Sequence, residues 1–172
     1  MHLYQNTQKT YNIYIMTPAL LEFLYTKMIS EISFIIIIGV FLYILISNKR
    51  KKEATYLIVS TIILSFLIYF FKNSLMVERP ENALIEIDGY ALPSGHSALS
   101  MFFGIVAYQL FIKNLKKKYR APLVFGVIAL VLSIGLSRIY FGVHTPFQVF
   151  IGFLMGAIVP IVLAKIYKIN KS

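Results

Sequence analysis

An all-α integral membrane protein, a bundle of about five transmembrane helices with an interfacial helix at its N-terminal end, is the fold class this sequence predicts. Three observations lead there. Of 172 residues, 58% are hydrophobic and only 14% charged, against about 25% charged in soluble domains. The apolar residues fall in runs close to the roughly 20 residues a helix needs to cross a bilayer. Basic clusters lie between these runs, as topology signals do.

The elements follow in chain order. Residues 15–28, IMTPALLEFLYTKM, are apolar but carry Pro18, Glu22 and Lys27. Charges within lipid are costly, so a helix lying in the interface is expected here rather than a further span. The N-terminus lacks the basic start and small-residue cleavage site of a secretory signal. Five spans are expected at 31–48, 54–72, 94–112, 121–138 and 147–167. Gly152 and Gly156 form a GxxxG in the last run, a spacing that permits close helix packing inside a bundle. The expected organisation is one domain over 1–172, with 1–29 an outer-face segment and 30–172 the catalytic bundle.

The net charge of +10 is accounted for by these flanking clusters, which argues against a nucleic-acid partner. KRKK at 49–52, KNLKKKYR at 113–120 and Lys165, Lys168 and Lys171 are expected on the cytoplasmic side, by the positive-inside rule. The C-terminus is then cytoplasmic, and the 73–93 and 139–146 loops face outward. There is no cysteine, so neither disulfides nor thiol chemistry are available.

The outward ends gather an unusual set of residues. The second run ends in Lys72, followed after six residues by Arg79 and Pro80. The third opens with Pro93-Ser94-Gly95-His96. The fourth ends in Ser137-Arg138, followed after five residues by His144. Alone, each has an ordinary reading: snorkelling cations, a helix-start turn, loop histidines. Together at one depth they suit phosphate transfer. Lys72, Arg79 and Arg138 can neutralise a phosphate dianion, the arginines in a forked geometry. Ser94 and Gly95 begin a helix, where free N–H groups and the dipole favour an anion. One histidine can attack phosphorus and the other can protonate the leaving oxygen. The cationic side chains supply the charge stabilisation, so no cofactor or metal is expected.

These segments closely resemble the signature of the type 2 phosphatidic acid phosphatase superfamily: K-x6-RP, PSGH and SR-x5-H-x3-D. The resemblance implies phosphate binding by Lys72, Arg79, Ser94, Gly95 and Arg138, general acid catalysis by His96 and nucleophilic attack by His144. The signature's final aspartate is Gln148 here. A glutamine carbonyl can accept from the histidine N–H and hold its tautomer, without offering a full negative charge. Members resembling glucose-6-phosphatase also carry Gln there, and lipid A 1-phosphatase-like members can lack the Asp. The loop ERPENALIEIDG holds Glu78, Glu81, Glu86 and Asp88, four of seven acids, either as a solvated loop or as a rim for polar parts of a substrate.

The resemblance implies a phosphatase; with the cations in place of a metal it is expected to be metal-independent, and the positive-inside orientation puts its site on the outer or periplasmic face of the inner (plasma) membrane. Its partner would be a membrane lipid phosphate or diphosphate. Lipid A 1-phosphate leads the candidates, with polyprenyl diphosphates, phosphatidylglycerophosphate and phosphatidic acid behind it. A lipid phosphotransferase and a non-enzymatic lipid-binding protein are the alternatives of other classes.

Overall fold

A computed structural model describes residues 50–169, except 82, 85 and 86, together with 36, 39, 40, 43, 46 and 47. The interfacial helix expected at 15–28 lies outside the described residues, as does most of the first expected span. Within that span, positions 36, 39, 40, 43 and 46 have helical backbone.

The regular structure among the described residues is all helical, and four of these helices are long and apolar enough to cross a membrane. They are α1 (Lys51–Leu75), α2 (Gly95–Leu110), α3 (Lys117–Tyr140) and α4 (Pro146–Ile166). A short 3₁₀ turn, Ile112–Asn114, continues α2. In lipid a spanning segment must satisfy its own backbone groups, and a helix does this within one segment. The four correspond to the second to fifth expected spans. The largest difference is at α3, which begins four residues before the expected 121 and so takes the basic stretch 117–120 into its first turn.

Alternate crossing brings the motif-bearing ends of the helices together. The α1–α2 connection is stitched to the α3–α4 turn by Leu84 N–H donating to Phe141 O at 2.9 Å, and to itself by Ala91 N–H donating to Val77 O at 2.8 Å. At the opposite end, Arg50 Nη2 donates to Leu110 O at 3.2 Å and Lys113 Nζ to Ile169 O at 2.9 Å.

The tightest helix pair is α2 with α4, and glycine is the reason. A Cβ at Gly152 would fall 2.5 Å from Ser94 O and 3.1 Å from Ser97 Cβ, and one at Gly156 would strike the Ala98 backbone. The GxxxG therefore faces inward and lets two backbones touch. This contact seats the start of α4 directly against the start of α2. The core beneath it is built from Tyr56, Leu57, Leu64, Ala98, Phe102, Val106 and Val159. Tyr56 brings polar contacts into it, its hydroxyl lying 2.5 Å from Gln109 Oε1 and 3.1 Å from Pro160 O.

Candidate active site

The three separated motif segments meet at one end of the bundle. Lys72 lies in the last turn of α1, Ser94 caps α2, Arg138 lies in the last turn of α3, and Gln148 lies in the first turn of α4. Arg79 and His144 sit in the two connections between them.

Arg79 is held by backbone carbonyls. Its Nε donates to Gly89 O at 3.1 Å, Nη1 to Val143 O at 3.1 Å and Nη2 to Asp88 O at 3.3 Å. Lys72 Nζ donates to Tyr90 O. The 88–90 stretch thus grips both cations and aims them at a common region. Arg138 is 2% exposed and lies over the Phe141 ring, 6.0 Å from its centroid. Its carbonyl accepts from His144 N–H at 3.2 Å. Gly142, with φ +67°, makes the turn that brings the chain back from α3 to that bond, a conformation glycine adopts without steric cost.

His144 is 5% exposed and is bracketed on both sides. Arg79 Nη1 lies 3.4 Å from its Nε2, and Gln148 Oε1 lies 3.3 Å from its Nδ1. A guanidinium has donors and no acceptor. The nitrogen facing it, Nε2, therefore carries the lone pair, and the ring proton sits on Nδ1, donating to Gln148. Burial pushes the His144 pKa down to about 4, helped by the charges of Arg79 and Lys72 and opposed by the Gln148 bond and the Ala91 backbone. The imidazole is thus neutral at pH 7, with an available lone pair. Burial also lowers the Arg79 pKa, partly offset by Asp88.

Gln148 does more than face the histidine. The same Oε1 accepts from Thr145 N–H at 2.9 Å, and Gln148 N–H donates to Thr145 Oγ1 at 3.3 Å. This is a capping box, with Pro146 at the first helical position. Gln148 O also accepts from Ser94 N–H at 3.2 Å, linking the residue beside His144 to the PSGH turn. That turn contains a cis Leu92–Pro93 bond. His96 is exposed at the first turn of α2, within electrostatic range of Arg138, Lys72 and Arg79.

Lys72, Arg79, Ser94, Gly95, His96, Arg138, His144 and Gln148 therefore come to one end. The sequence reading missed Thr145, although T-x-x-Q before an apolar run is a capping signal. It also missed the carbonyls of 88–90 and 143, and Ser97, whose Oγ lies 2.9 Å from Ser94 Oγ.

The sequence profile of the PAP2 superfamily matches residues 53–172. The chain belongs to this superfamily. It is 30% identical over 119 residues to lipid phosphate phosphatase gamma of Arabidopsis thaliana, covering 64% of this chain and 52% of that protein. It is 37% identical over 84 residues to phosphatidylglycerophosphatase B of Bacillus subtilis (strain 168), covering 45% of this chain and 40% of that one. The chain thus spans about half the length of these two curated relatives or less. Its fold is similar to a PAP2-type phosphatidylglycerolphosphate phosphatase from Bacillus subtilis, at TM-score 0.68 and 21% identity, covering 90% of this chain and 77% of that one. It is also similar to Aquifex aeolicus LpxE, at TM-score 0.64 and 24% identity, covering 85% and 86%.

As a PAP2 superfamily site, the arrangement can perform one kind of chemistry well. A neutral histidine whose lone pair faces the Arg79 guanidinium, with the Lys72 charge also in range, can attack an electrophile that carries negative charge. Four of the five Arg79 N–H donors are engaged by described residues. An oxyanion would meet the fifth, or would displace one of these partners.

Proposed function

We propose that this chain is a membrane lipid phosphatase that works through a phosphohistidine on His144. The observation that carries the reading is the bracketing of His144 between Arg79 and Gln148, which supports Nε2 as the nucleophile. Lys72, Arg79, Arg138 and the α2 start at Ser94 and Gly95 bind the phosphate. His144 Nε2 attacks phosphorus, the P–O bond to the lipid breaks, and His96 gives its proton to the leaving oxygen. Water then attacks the phosphohistidine, losing its proton to His96, and inorganic phosphate leaves with both catalytic histidines restored. The cations stabilise the charge that spreads over the phosphoryl oxygens.

The substrate arrives laterally, since the site lies at the ends of helices whose outer surfaces are apolar. The names of two relatives support phosphatidylglycerophosphate as the substrate. Lipid A 1-phosphate is the second reading, favoured by Gln148 standing where the signature has aspartate. The site faces outward in the inner (plasma) membrane with the C-terminus cytoplasmic, and the chain acts as one domain over 1–172, with the bundle of 30–172 catalytic. Basic clusters between the spans support that orientation. The test is phosphate release by purified protein from phosphatidylglycerophosphate, lipid A, polyprenyl diphosphate and phosphatidic acid, beside His144→Ala. Release from one lipid by wild type alone supports the reading; equal release by His144→Ala, or none from any lipid, overturns it. Transfer of phosphate to a lipid acceptor in place of water would identify a phosphotransferase.

A further inference from the structure

Ser94 and Ser97 are both fully buried, and their hydroxyl oxygens are 2.9 Å apart. Ser94 is the N-cap of α2, yet its hydroxyl caps no backbone N–H. An N-cap serine ordinarily accepts from the second or third N–H of its helix, here that of His96 or Ser97. The Ser94 backbone is pinned on both sides: its N–H donates to Gln148 O at 3.2 Å and its carbonyl accepts from Ala98 N–H at 3.0 Å. The α4 backbone closes the third side, because Gly152 leaves no room beside Ser94 O and Ser97 Cβ. With both backbones held, the free choice left to the Ser94 side chain is its rotamer, and the Ser97 hydroxyl is the partner it meets.

We infer that Ser97, one residue beyond the PSGH motif, is a positioning residue for phosphate binding. Its hydroxyl donates to Ser94 Oγ, which leaves the Ser94 proton for a phosphate oxygen. It also draws Ser94 Oγ away from the first turn of α2, so the N–H groups there stay uncapped for the same anion. The opposite polarity, Ser94 donating to Ser97, would consume the one proton Ser94 has and turn its lone pairs on an anion that needs donors. This inference rests on the phosphatase reading and assigns a role to a residue that touches no substrate itself.

A double-mutant cycle tests it on the full chain in nanodiscs: wild type, Ser94→Ala, Ser97→Ala and the double variant. The readouts are inorganic phosphate affinity by calorimetry and kcat/KM on the best lipid of the panel. Ser97→Ala is expected to weaken phosphate binding on the order of three- to tenfold, the size of one neutral hydrogen bond. It is expected to add nothing in the Ser94→Ala background, because its effect runs through Ser94. Ser97→Cys, similar in volume but a weak donor, should follow Ser97→Ala and carries the test if the alanine variant does not fold. Additive losses, or a Ser97→Ala protein with wild-type phosphate affinity, would overturn the inference while leaving the phosphatase reading intact. Phosphate binding with full Ser94–Ser97 coupling, but no lipid hydrolysed by wild type, would overturn the phosphatase reading and leave the inference standing.

Discussion

Gln148 Oε1 lies 3.3 Å from His144 Nδ1 and 2.9 Å from Thr145 N–H, so one carbonyl oxygen both orients a histidine and caps the helix that follows it. The glutamine is fixed by its own helix cap before it acts on the ring. This explains how a neutral side chain can stand where the family signature has aspartate. A carboxylate adds charge, but orientation requires only an acceptor held in place.

Gln148→Ala removes both bonds. Turnover should fall on the order of tenfold, since a neutral hydrogen bond contributes about 0.5–1.5 kcal/mol and each ~1.4 kcal/mol is tenfold in rate. Thermal stability should drop as well, because the capping box opens. Gln148→Glu keeps the acceptor and the length and adds charge, so turnover should survive and the acid limb should move to higher pH. Steady-state kinetics of the three proteins across pH, with melting curves, check this. Wild-type turnover in Gln148→Ala would show that another group holds His144.

The pH profile carries a second expectation. His144 is held at about 4, well below an ordinary histidine at 6.5, so the acid limb of kcat/KM that His144 sets should lie near the lowered value and not near 6.5. The sign for stability follows the same shift. The unfolded chain binds a proton near 6.5 that the folded chain refuses until about 4. This contribution is therefore full above pH 6.5 and is lost as pH falls from there through 4. Arg79→Gln removes the neighbouring charge and should raise the His144 pKa, as read by NMR titration of the ring. An unmoved titration would detach Arg79 from His144.

The two histidines should fail differently. His144→Ala should form no phosphoenzyme with any substrate. His96→Ala should form one from an aryl phosphate, whose good leaving group needs little protonation, but almost none from a lipid phosphate. Rapid quench with acid-labile phosphate counting separates them. A phosphoenzyme in His144→Ala would remove it as nucleophile.

Gly152→Ala should be among the most damaging small substitutions in the bundle. Its Cβ would fall 2.5 Å from Ser94 O, and overpacking of this kind costs about 1–3 kcal/mol. Prising α4 from α2 also separates Gln148 from Ser94, so activity should drop together with the melting temperature. Gly126→Ala is the control: its Cβ would meet nothing within 4 Å, and alanine favours a helix over glycine by about 1 kcal/mol. Equal melting temperatures for the two variants would contradict the α2–α4 contact.

Chelation should leave turnover unchanged, since Lys72, Arg79 and Arg138 supply the positive charge that a metal would otherwise bring. Activity lost to EDTA and restored by magnesium would require another mechanism.

Much of this protein was determined by the sequence alone, for reasons that are local. Runs of apolar residues in lipid have few choices besides a helix, so the spans from Lys51 to Ile166 could be read within a few residues. The charge clusters between them set which loops share a side. Hence Lys72, Arg79, His96, Arg138 and His144 could be placed at one level from patterning and spacing. The capping box at Thr145 was equally local, but a reading that takes Gln148 only as a replacement for aspartate passes over it. The tertiary structure decided what depends on approach between distant segments. The grip of the Val143 carbonyl on Arg79 spans 64 residues of chain. The tautomer of His144 follows from which neighbour faces which ring nitrogen, and no spacing encodes that. The PSGH turn meets α4 because Gly152 removes a single Cβ from the path of Ser94 O. Sequence spacing selects residues for the site, whereas hydrogen-bond polarity and backbone approach arise only when the helices pack.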